Sequence, residues 1–250
     1  MPLVRTRGII LRSQRWGDAD RIVTLFSHNL GKIRGVARGA RRMKTRFGGV
    51  LEPFGLVDVT LFQKTADALG QISQIDLVAS YSAIREDLTV MTAAARMVKM
   101  VEAISVDRDP NPGMYTALVH GLESLNPEED VALLTLLFQI HVLGHTGFRP
   151  QFECCTECGK PDQHHSPKWF SPPLGGVVCH ECRHRGGRML PLSKGSVAFI
   201  EQARRLSLPQ LSRLKAMGSV RMEVETTMEA YFQAVVGKVL PSFEQWVSRV

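Results

Sequence analysis

Two closely spaced pairs of cysteines limit the folds open to this chain more than any other feature. Cys155 and Cys158 form the first C-x2-C pair, and Cys179 and Cys182 form the second after twenty intervening residues. Two such turns bring four thiolates to one tetrahedral ion, and a fully ligated ion has no open position for a catalytic water. The spacing therefore predicts one structural zinc ion, bound by all four cysteines within a small ribbon-like insert.

Other roles for this segment stay open. The cysteines could be reduced thiols without a metal, or redox-active thiols, although the βαβ pattern of a thioredoxin-like motif is missing. The odd total of five cysteines fits metal binding in a reducing compartment better than a disulfide framework. Further potential ligands lie close in the sequence, namely Cys154, His164, His165, His180 and His184.

The first 80 residues have a pattern typical of β-strands, because Val, Ile, Leu and Phe alternate with polar residues between turn signals. The short connection through Asn29 and Gly31 suits a hairpin between the second and third strands. Five short strands without a helical period between most of them predict a small OB-like β-barrel rather than a doubly wound sheet. The predicted strands lie at residues 4–13, 20–27, 32–37, 54–63 and 70–78.

Positive charge is concentrated near the N-terminus. Residues 1–50 hold 12 Lys and Arg but only two acids, whereas the whole chain has a net charge of +7, so the remainder is slightly acidic. Each cation that neutralises a phosphate releases condensed counterions, so this asymmetry predicts a polyanionic partner such as a nucleic acid. A solvated basic face kept for solubility is the alternative interpretation.

We predict a sequence-independent DNA-binding site on the barrel that acts mainly through phosphate contacts. Its centre is the glycine-rich basic segment 38–49, which we expect to be a mobile loop. Trp16 and Phe47 either stack on bases or belong to the core. We interpret Asp20 and Arg21 as an ion pair at the start of a strand. The predicted DNA-binding residues are Arg5, Arg7, Arg34, Arg38, Arg41, Arg42, Lys44 and Arg46.

Beyond residue 80 the periodicity becomes helical, beginning with an apolar stripe from Leu88 to Ile104. Further helices are predicted at 114–125, from a cap at 126–129 to about 144–147, at 196–206 and at 220–236. The helix that ends near 144–147 is almost entirely apolar over 131–143, so we expect it to be buried in a bundle. The fold class is thus α+β. The predicted domains are an OB-fold domain at 1–80, a helical domain at 81–150 and 191–250, and a zinc-binding insert at 151–190.

The sequence favours neither a membrane protein nor an enzyme. It has no run of about 20 apolar residues and no secretory h-region at its start, so we expect a cytoplasmic protein. His141 and His145 have the spacing of a zinc-protease helix, but Val142 stands where that motif requires Glu. The common nucleophile, P-loop and dinucleotide motifs are also missing. We therefore predict a binding protein with no catalytic residue and no small-molecule substrate.

Several segments resemble the RecO family. In the first half they are 8–11 (GIIL), 16–26 (WGDADRIVTLF), 31–32 (GK) and 36–41 (VARGAR). In the second half they are 143–150 (LGHTGFRP), 170–172 (FSP) and 175–176 (GG), beside the cysteine pairs. Trp16 and Asp18 stand where the family often has Tyr and Glu, which preserves an aromatic ring and a carboxylate. Many members lack the four cysteines, which implies that zinc supports structure rather than the shared activity.

The resemblance implies an OB-fold followed by a helical domain with a zinc-binding insert. It also implies a nucleoid-associated protein that binds single- and double-stranded DNA and anneals complementary strands. Its implied partners in RecF-pathway repair are RecR and single-strand-binding protein, and through them it assists RecA. Two other hypotheses stay open. One is a zinc-ribbon regulatory or scaffold protein whose basic arm binds RNA or an acidic protein, and the other is a nucleic-acid-modifying enzyme.

Overall fold

The computed structural model of this chain describes residues 3–63, 69–161, 168–184, 187–206, 210 and 214–237. These residues fall into two compact units, one within residues 1–131 and the other within residues 132–240. Within the described residues, no helix combines the length and the hydrophobicity that a membrane span needs.

A closed β-barrel forms the N-terminal part of the first unit. Its strands are β1 (Leu3–Trp16), β2 (Asp20–Ser27), β3 (Gly31–Ala37), β4 (Leu56–Phe62) and β5 (Gly70–Ala79). The order around the barrel is β1-β2-β3-β5-β4, and β1 pairs with β4 to close it. Neighbouring strands are antiparallel except for β3 and β5, which pair in parallel. The predicted five-stranded OB-like barrel is confirmed.

The barrel interior is filled by the inward-facing side chains of the strands. Successive side chains of a strand point to opposite faces, so the alternation seen in the sequence delivers one apolar face. Gly35 lies where β3 meets β5, and a Cβ added there would lie 2.8 Å from Ile72 Cγ1 and 2.9 Å from Leu61 Cδ2. A side chain at this point would therefore displace the core. The strand residues of this core are Ile10, Val23, Leu25, Ile33, Ala37, Val57, Val59, Leu61, Ile72 and Ile75.

The hairpin of β1 and β2 is longer than predicted, since β1 ends at Trp16 rather than at residue 13. Cross-strand pairing continues through Arg15 with Arg21 and through Trp16 with Asp20. The sequence between Ser13 and Arg15 is polar, so no apolar alternation marked this part of the strand.

The loop between β3 and β4 is anchored in the barrel, although it was expected to be mobile. Phe47 and Leu51 are each 2% exposed and belong to the barrel core. The backbone N–H of Val50 donates to the carbonyl of Phe47 at 3.1 Å, which forms a turn between the two anchors. Of the two alternatives for Phe47, the core position is therefore the correct one.

The interpretation of Asp20 and Arg21 as an ion pair is wrong. Asp20 Oδ1 accepts a hydrogen bond of 2.8 Å from the backbone N–H of Gly39, in the loop after β3. Arg21 instead forms an ion pair of 3.2 Å with Glu52. Neighbouring residues on a strand point to opposite faces, which separates the two side chains. Both contacts connect the start of β2 to the β3–β4 loop, through Gly39 for Asp20 and through Glu52 for Arg21.

Three helices follow the barrel within the first unit, namely α1 (Ala83–Glu86), α2 (Leu88–Ile104) and α3 (Pro112–Ser124). The side chain of Asp87 caps α2 by accepting hydrogen bonds from the backbone N–H groups of Thr89 and Val90. Asn111 caps α3, which begins at Pro112 rather than at residue 114 because proline fits the first helical turn.

The buried face of α2 is centred differently from the predicted stripe. Leu88 is 64% exposed because it is the first residue of the helix and projects into solvent. Val90, Ala94, Met97 and Val101 are at most 2% exposed and form the buried side. The predicted helix is confirmed, but its buried face is displaced from the predicted stripe.

Helix α2 is fixed to the outside of the barrel. Lys32 Nζ donates hydrogen bonds to the carbonyl oxygens of Glu102 at 3.1 Å and of Ser105 at 2.6 Å. These carbonyls lie at the C-terminal end of α2, where cations are favourable. Ile9 and Phe26 are cross-strand partners, face away from the barrel core and are fully buried, and α2 contacts β1. The barrel is therefore covered on this side by the helix that follows it.

Helix α4 (Val131–His145) leads into the second unit, in which β6 (Lys168–Ser171), β7 (Gly176–Val178) and β8 (Leu190–Leu192) form a small antiparallel sheet in the order β7-β6-β8. Helices α5 (Lys194–Arg205) and α6 (Gly218–Val236) complete it. The predicted helices near 196 and 220 each begin two residues earlier than expected, at Lys194 and Gly218.

The start of α4 was predicted about five residues too early. Asn126 Oδ1 accepts a hydrogen bond from Glu128 N at 2.8 Å, which closes an Asx turn instead of capping a helix. The helix is buried along most of its length, as its apolar sequence predicted. Its polar exceptions have partners, since Gln139 Nε2 donates to the carbonyl of Met228 at 2.8 Å and His141 Nε2 lies 3.0 Å from the carbonyl of Ala203.

We expect the Phe47→Ala variant to lose about 3–5 kcal/mol of unfolding free energy, because the substitution removes a fully buried ring and leaves a cavity in the barrel core. The Met43→Ala variant is the matched control, since Met43 lies on the same loop and is fully exposed. Its unfolding free energy is expected to change by less than about 0.5 kcal/mol. Urea unfolding followed by circular dichroism measures both values. Equal stability of the two variants would contradict the anchoring role of Phe47.

Candidate metal centre and nucleic-acid interface

The four cysteines of the two pairs lie together in the second unit. The Sγ atoms of Cys155, Cys158, Cys179 and Cys182 all lie within 4.8 Å of one another. The distance from Cys158 Sγ to Cys179 Sγ is 3.8 Å. A tetrahedral ion with metal–sulfur bonds of about 2.3 Å places its sulfur ligands about 3.8 Å apart. The cluster can therefore hold one metal ion with little movement.

Two tight turns aim the thiols at a common centre. In the first turn, Gly159 N donates to the carbonyl of Cys155 at 2.8 Å, with Gly159 in the left-handed region at φ 72°. In the second turn, Cys182 N donates to the carbonyl of Cys179 at 3.1 Å. Cys179 N also donates to Cys155 Sγ at 3.3 Å, so the second turn contacts the first directly.

The small sheet holds the first turn in place. Thr156 N donates to the carbonyl of Val177 on β7 at 2.9 Å. Gly176 allows this approach, because a Cβ there would lie 2.5 Å from Thr156 Cγ2 and 2.7 Å from the carbonyl oxygen of Gln151. The ribbon thus positions the cysteines through backbone hydrogen bonds and one close glycine contact.

The surroundings of the sulfur atoms favour a thiolate at Cys155. Burial opposes its ionisation, but the backbone N–H groups of Cys179, Cys158 and Glu157 outweigh burial and lower the pKa of Cys155 to about 6. Burial and the neighbouring sulfur atoms of Cys179 and Cys158 raise the pKa of Cys182 to about 12. A bound cation favours ionisation at every ligand, so binding of a metal ion at this cluster would release a proton from Cys182 at neutral pH.

The other potential ligands do not join the cluster in the described part of the chain. Cys154 Sγ instead accepts a hydrogen bond of 3.6 Å from Gln151 Nε2. The rings of His180 and His184 pack edge to face, with centroids 6.4 Å apart. His164 and His165 lie outside the described residues.

The basic segment after β3 contacts the turn between β1 and β2. Arg41 N donates to the carbonyl of Ala19 at 2.9 Å, and Arg41 Nη1 donates to the carbonyls of Asp18 at 3.1 Å and Gly17 at 3.4 Å. Together with the bond from Gly39 N to Asp20, these contacts join the two loops. They bring together exposed side chains that we name the basic end of the barrel, defined as Arg15, Trp16, Arg38, Arg41, Arg42, Met43, Lys44 and Arg46.

Two of the predicted DNA-binding arginines on strands are neutralised by carboxylates. Arg7 forms two hydrogen bonds with Asp58, of 2.7 and 2.8 Å, and this contact lowers the pKa of Asp58. Arg34 forms an ion pair with Asp107. Arg5 is exposed and lies with Arg7 beside an open cleft of about 850 Å³, which Asp58 and Asp76 also line. Carboxylates therefore lie beside Arg5, Arg7 and Arg34, while the acids at the basic end are Asp18, which is exposed, and Asp20, whose side chain is bonded to Gly39 N.

Arg46 differs from the rest of the basic end. Its guanidinium lies 4.8 Å from the ring centroid of Phe47, and Arg46 Nη2 donates to the carbonyl of Ile72 at 3.3 Å. These contacts hold the side chain against the barrel while leaving the residue exposed.

Three members of the basic end, Arg15, Trp16 and Met43, were missed or left undecided by the sequence interpretation. Arg15 and Trp16 are exposed at the end of β1, and Trp16 is 57% exposed. Met43 is fully exposed between two cations. The β1–β2 hairpin pairs as far as Trp16 and Asp20. Extending the predicted first strand to meet Asp20 would have placed Arg15 near the basic segment.

A closed OB-type barrel with a cluster of exposed cations on joined loops defines a class of proteins suited to binding polyanions. The comparisons with known families are consistent with this class. Residues 1–81 match the family model "Recombination protein O N terminal", and residues 85–244 match "Recombination protein O C terminal". The chain belongs to the RecO family of DNA repair and recombination proteins.

Individual relatives are similar over most of the chain. A protein named DNA repair protein RecO from Symbiobacterium thermophilum is 31% identical over 246 residues, which cover 98% of this chain and 96% of the relative. The protein of that name from Cutibacterium acnes is 39% identical over 74% of this chain and 76% of its own length. The one from Bacillus subtilis is 28% identical over 96% of this chain and 92% of its own length.

The Cys179→Ser variant is expected to lose the bound metal, because one of four thiolate ligands is removed and the hydroxyl is a far weaker donor. Elemental analysis of freshly purified protein should give about one equivalent of metal for the unmodified chain and close to none for the variant. A lower melting temperature should accompany the loss, since metal binding stabilises the folded ribbon.

Cys154→Ser is the matched control, because Cys154 neighbours the cluster without joining it. It should retain the full metal content and the melting temperature of the unmodified chain. The assignment of ligands is wrong if Cys154→Ser releases the metal or if Cys179→Ser keeps it.

Proposed function

We propose that this protein is a DNA-binding recombination mediator of RecF-pathway repair. It binds single- and double-stranded DNA at the basic end, anneals complementary strands and, with RecR, assists RecA in loading onto DNA coated by single-strand-binding protein. The observation that carries the proposal is the cluster of exposed cations on two joined loops of an OB-type barrel. Membership of the RecO family supports it independently.

The chemistry of the basic end suits contact with phosphates rather than with base edges. Guanidinium and ammonium groups on flexible stems can follow a sugar–phosphate chain without reading its sequence. Arg41 uses Nη1 for the two hairpin carbonyls, so its other N–H groups can still contact a phosphate. Annealing brings two polyanions together, and a cluster of cations lowers the repulsion between them.

We retain Arg5, Arg7 and Arg34 as secondary members of the proposed DNA site. Arg7 and Arg34 are exposed, and exposed ion pairs are weak in water, so a phosphate can compete with Asp58 or Asp107 for them. The contribution of Arg7 and Arg34 should nevertheless be smaller than that of the basic end, because each must share its charge with a carboxylate.

We further propose that the metal is one structural zinc ion bound by Cys155, Cys158, Cys179 and Cys182. Four thiolates in a tetrahedral arrangement are the donor set that zinc takes in structural sites, and they leave no ligand position for chemistry. The described contacts of the cluster are with the surrounding ribbon, which supports a role in folding. We expect a non-enzymatic protein of the cytoplasm that associates with the nucleoid.

We expect the double variant Arg42→Ala/Lys44→Ala to bind single- and double-stranded DNA more weakly, to similar extents. Removing two phosphate contacts should lower the slope of log affinity against log salt by about 1.4–1.8, because each contact contributes about 0.7–0.9. Fluorescence anisotropy with labelled oligonucleotides at several salt concentrations measures both the affinity and the slope.

The matched control is Arg205→Ala/Lys215→Ala, which removes two exposed cations from the second unit. Its salt slope should equal that of the unmodified protein. An unchanged slope for Arg42→Ala/Lys44→Ala would remove the basic end from the DNA site.

Annealing of complementary strands coated with single-strand-binding protein tests the mediator role itself. The unmodified protein with RecR should accelerate annealing and RecA loading, and the variant at Arg42 and Lys44 should be slower in proportion to its weaker binding. Tighter binding to RNA than to DNA, or intact DNA binding without any acceleration, would favour the regulatory or scaffold hypothesis instead.

A further inference from the structure

Two large apolar side chains are exposed within the basic end, where the rest of the surface is charged. Trp16 is 57% exposed at the end of β1, and Met43 is fully exposed on the loop after β3. Trp16 follows Arg15 in the sequence, and Met43 lies between Arg42 and Lys44. Met43 therefore has a cation on each side of it along the loop, whereas Arg15 and Trp16 are neighbours on a strand and point to opposite faces.

We propose that Trp16 and Met43 form a base-contacting pair that takes up unpaired bases and gives the interface a preference for single strands over duplex. This inference rests on the proposed DNA-binding function and adds the group of the ligand that is recognised. The cations bind the phosphates, Trp16 stacks on the face of one base, and Met43 inserts between neighbouring bases.

The backbone around Met43 presents its side chain to solvent in a defined position. The other large apolar residues of the loop, Phe47 and Leu51, are buried in the barrel core. Arg42 N donates to the carbonyl of Gly39 at 3.1 Å, which forms a turn just before Met43. The loop is thus anchored on both sides of Met43, and little conformational entropy is lost when a ligand orders it further.

Trp16 is presented in the same way by the hairpin. Its backbone pairs in register with Asp20, and the side chain of Asp20 is bonded to Gly39 N. Gly17 has φ 55°, which allows the tight turn that follows Trp16. The same hydrogen bonds join this hairpin to the loop that carries Met43, so the two side chains belong to one connected surface.

General chemistry connects this pair to unpaired bases. An indole ring stacks on any base, because every base has a π-face, and such stacking is indifferent to sequence. Methionine is among the apolar residues that insert between base steps, and its thioether adapts to irregular gaps. In a duplex the base faces already stack on one another, so insertion there has an unstacking cost that a single strand largely avoids.

The test compares Trp16→Ala and Met43→Ala for binding to single-stranded and duplex oligonucleotides. Trp16→Ala should weaken single-strand binding about tenfold, and Met43→Ala about threefold, on the scale of one lost stacking contact. Duplex affinity should stay within about twofold of the unmodified protein, so the preference for single strands falls. The salt slope should not change, because neither substitution removes a charge.

A reporter in the DNA measures base contact directly. The fluorescence of a single strand that contains 2-aminopurine should change when the unmodified protein separates its bases and Trp16 stacks on one of them, and this change should be lost in both variants. Trp16→Phe should recover most of the affinity and of the fluorescence change, because the ring is retained, whereas Trp16→Leu should not. Met222→Ala on α6 is the matched control, because it truncates another exposed methionine and should leave single-strand binding unchanged.

The outcomes separate this inference from the proposed function. If Trp16→Ala and Met43→Ala leave the preference for single strands intact while Arg42→Ala/Lys44→Ala still flattens the salt slope, the base-contacting pair is wrong and the DNA site stands. An equal loss of single-strand and duplex affinity would also overturn it. If the charge variants have no effect either, the basic end itself is not the interface.

Discussion

The parallel contact of β3 with β5 is the constraint on which the closed barrel, and with it the rest of the first unit, depends. The contact is short, and it requires a glycine at Gly35 so that Leu61 and Ile72 can fill the interior. The antiparallel pairing of β2 with β3, which sets Arg21 opposite Ala37, places the turn after β1 beside the segment after β3. The cations lie on these two connections, so the proposed interface is a consequence of strand pairing as well as of charge.

The sequence was sufficient to locate those strands and helices that have a regular hydrophobic period. Alternating apolar residues located all five barrel strands, and three- and four-residue steps located the long helices, in each case within a few residues. The errors lie where another interaction determines the boundary. Pairing of Trp16 with Asp20 prolongs a polar stretch of β1, and the Asx turn at Asn126 delays the start of α4. Neither effect changes the hydrophobic pattern from which boundaries were inferred.

The candidate sites differ in how much the sequence revealed, for a physical reason. The cysteine cluster was predictable because each C-x2-C turn is a local feature of the sequence. The only long-range condition is that the two turns lie side by side. The basic site was less predictable, because the state of an arginine depends on distant acids. Asp58 is 51 residues from Arg7, and Asp107 is 73 residues from Arg34. The exposure of Phe47 and Met43 was unpredictable for the same reason. Both lie on one loop, but the side chain of Phe47 faces the barrel and that of Met43 faces solvent.

Lys32 and the buried pair of Ile9 and Phe26 have a consequence for where the barrel ends as an independently folding unit. Lys32 donates to carbonyls at the C-terminal end of α2, and Ile9 lies on β1, the strand that α2 contacts, so part of the outer wall of the barrel depends on a helix beyond the OB-fold. A fragment cut after the last strand would present a bare hydrophobic strip and an ammonium group without its carbonyl acceptors. Such a fragment would self-associate, so the smallest autonomous folding unit includes the first helices as well as the barrel.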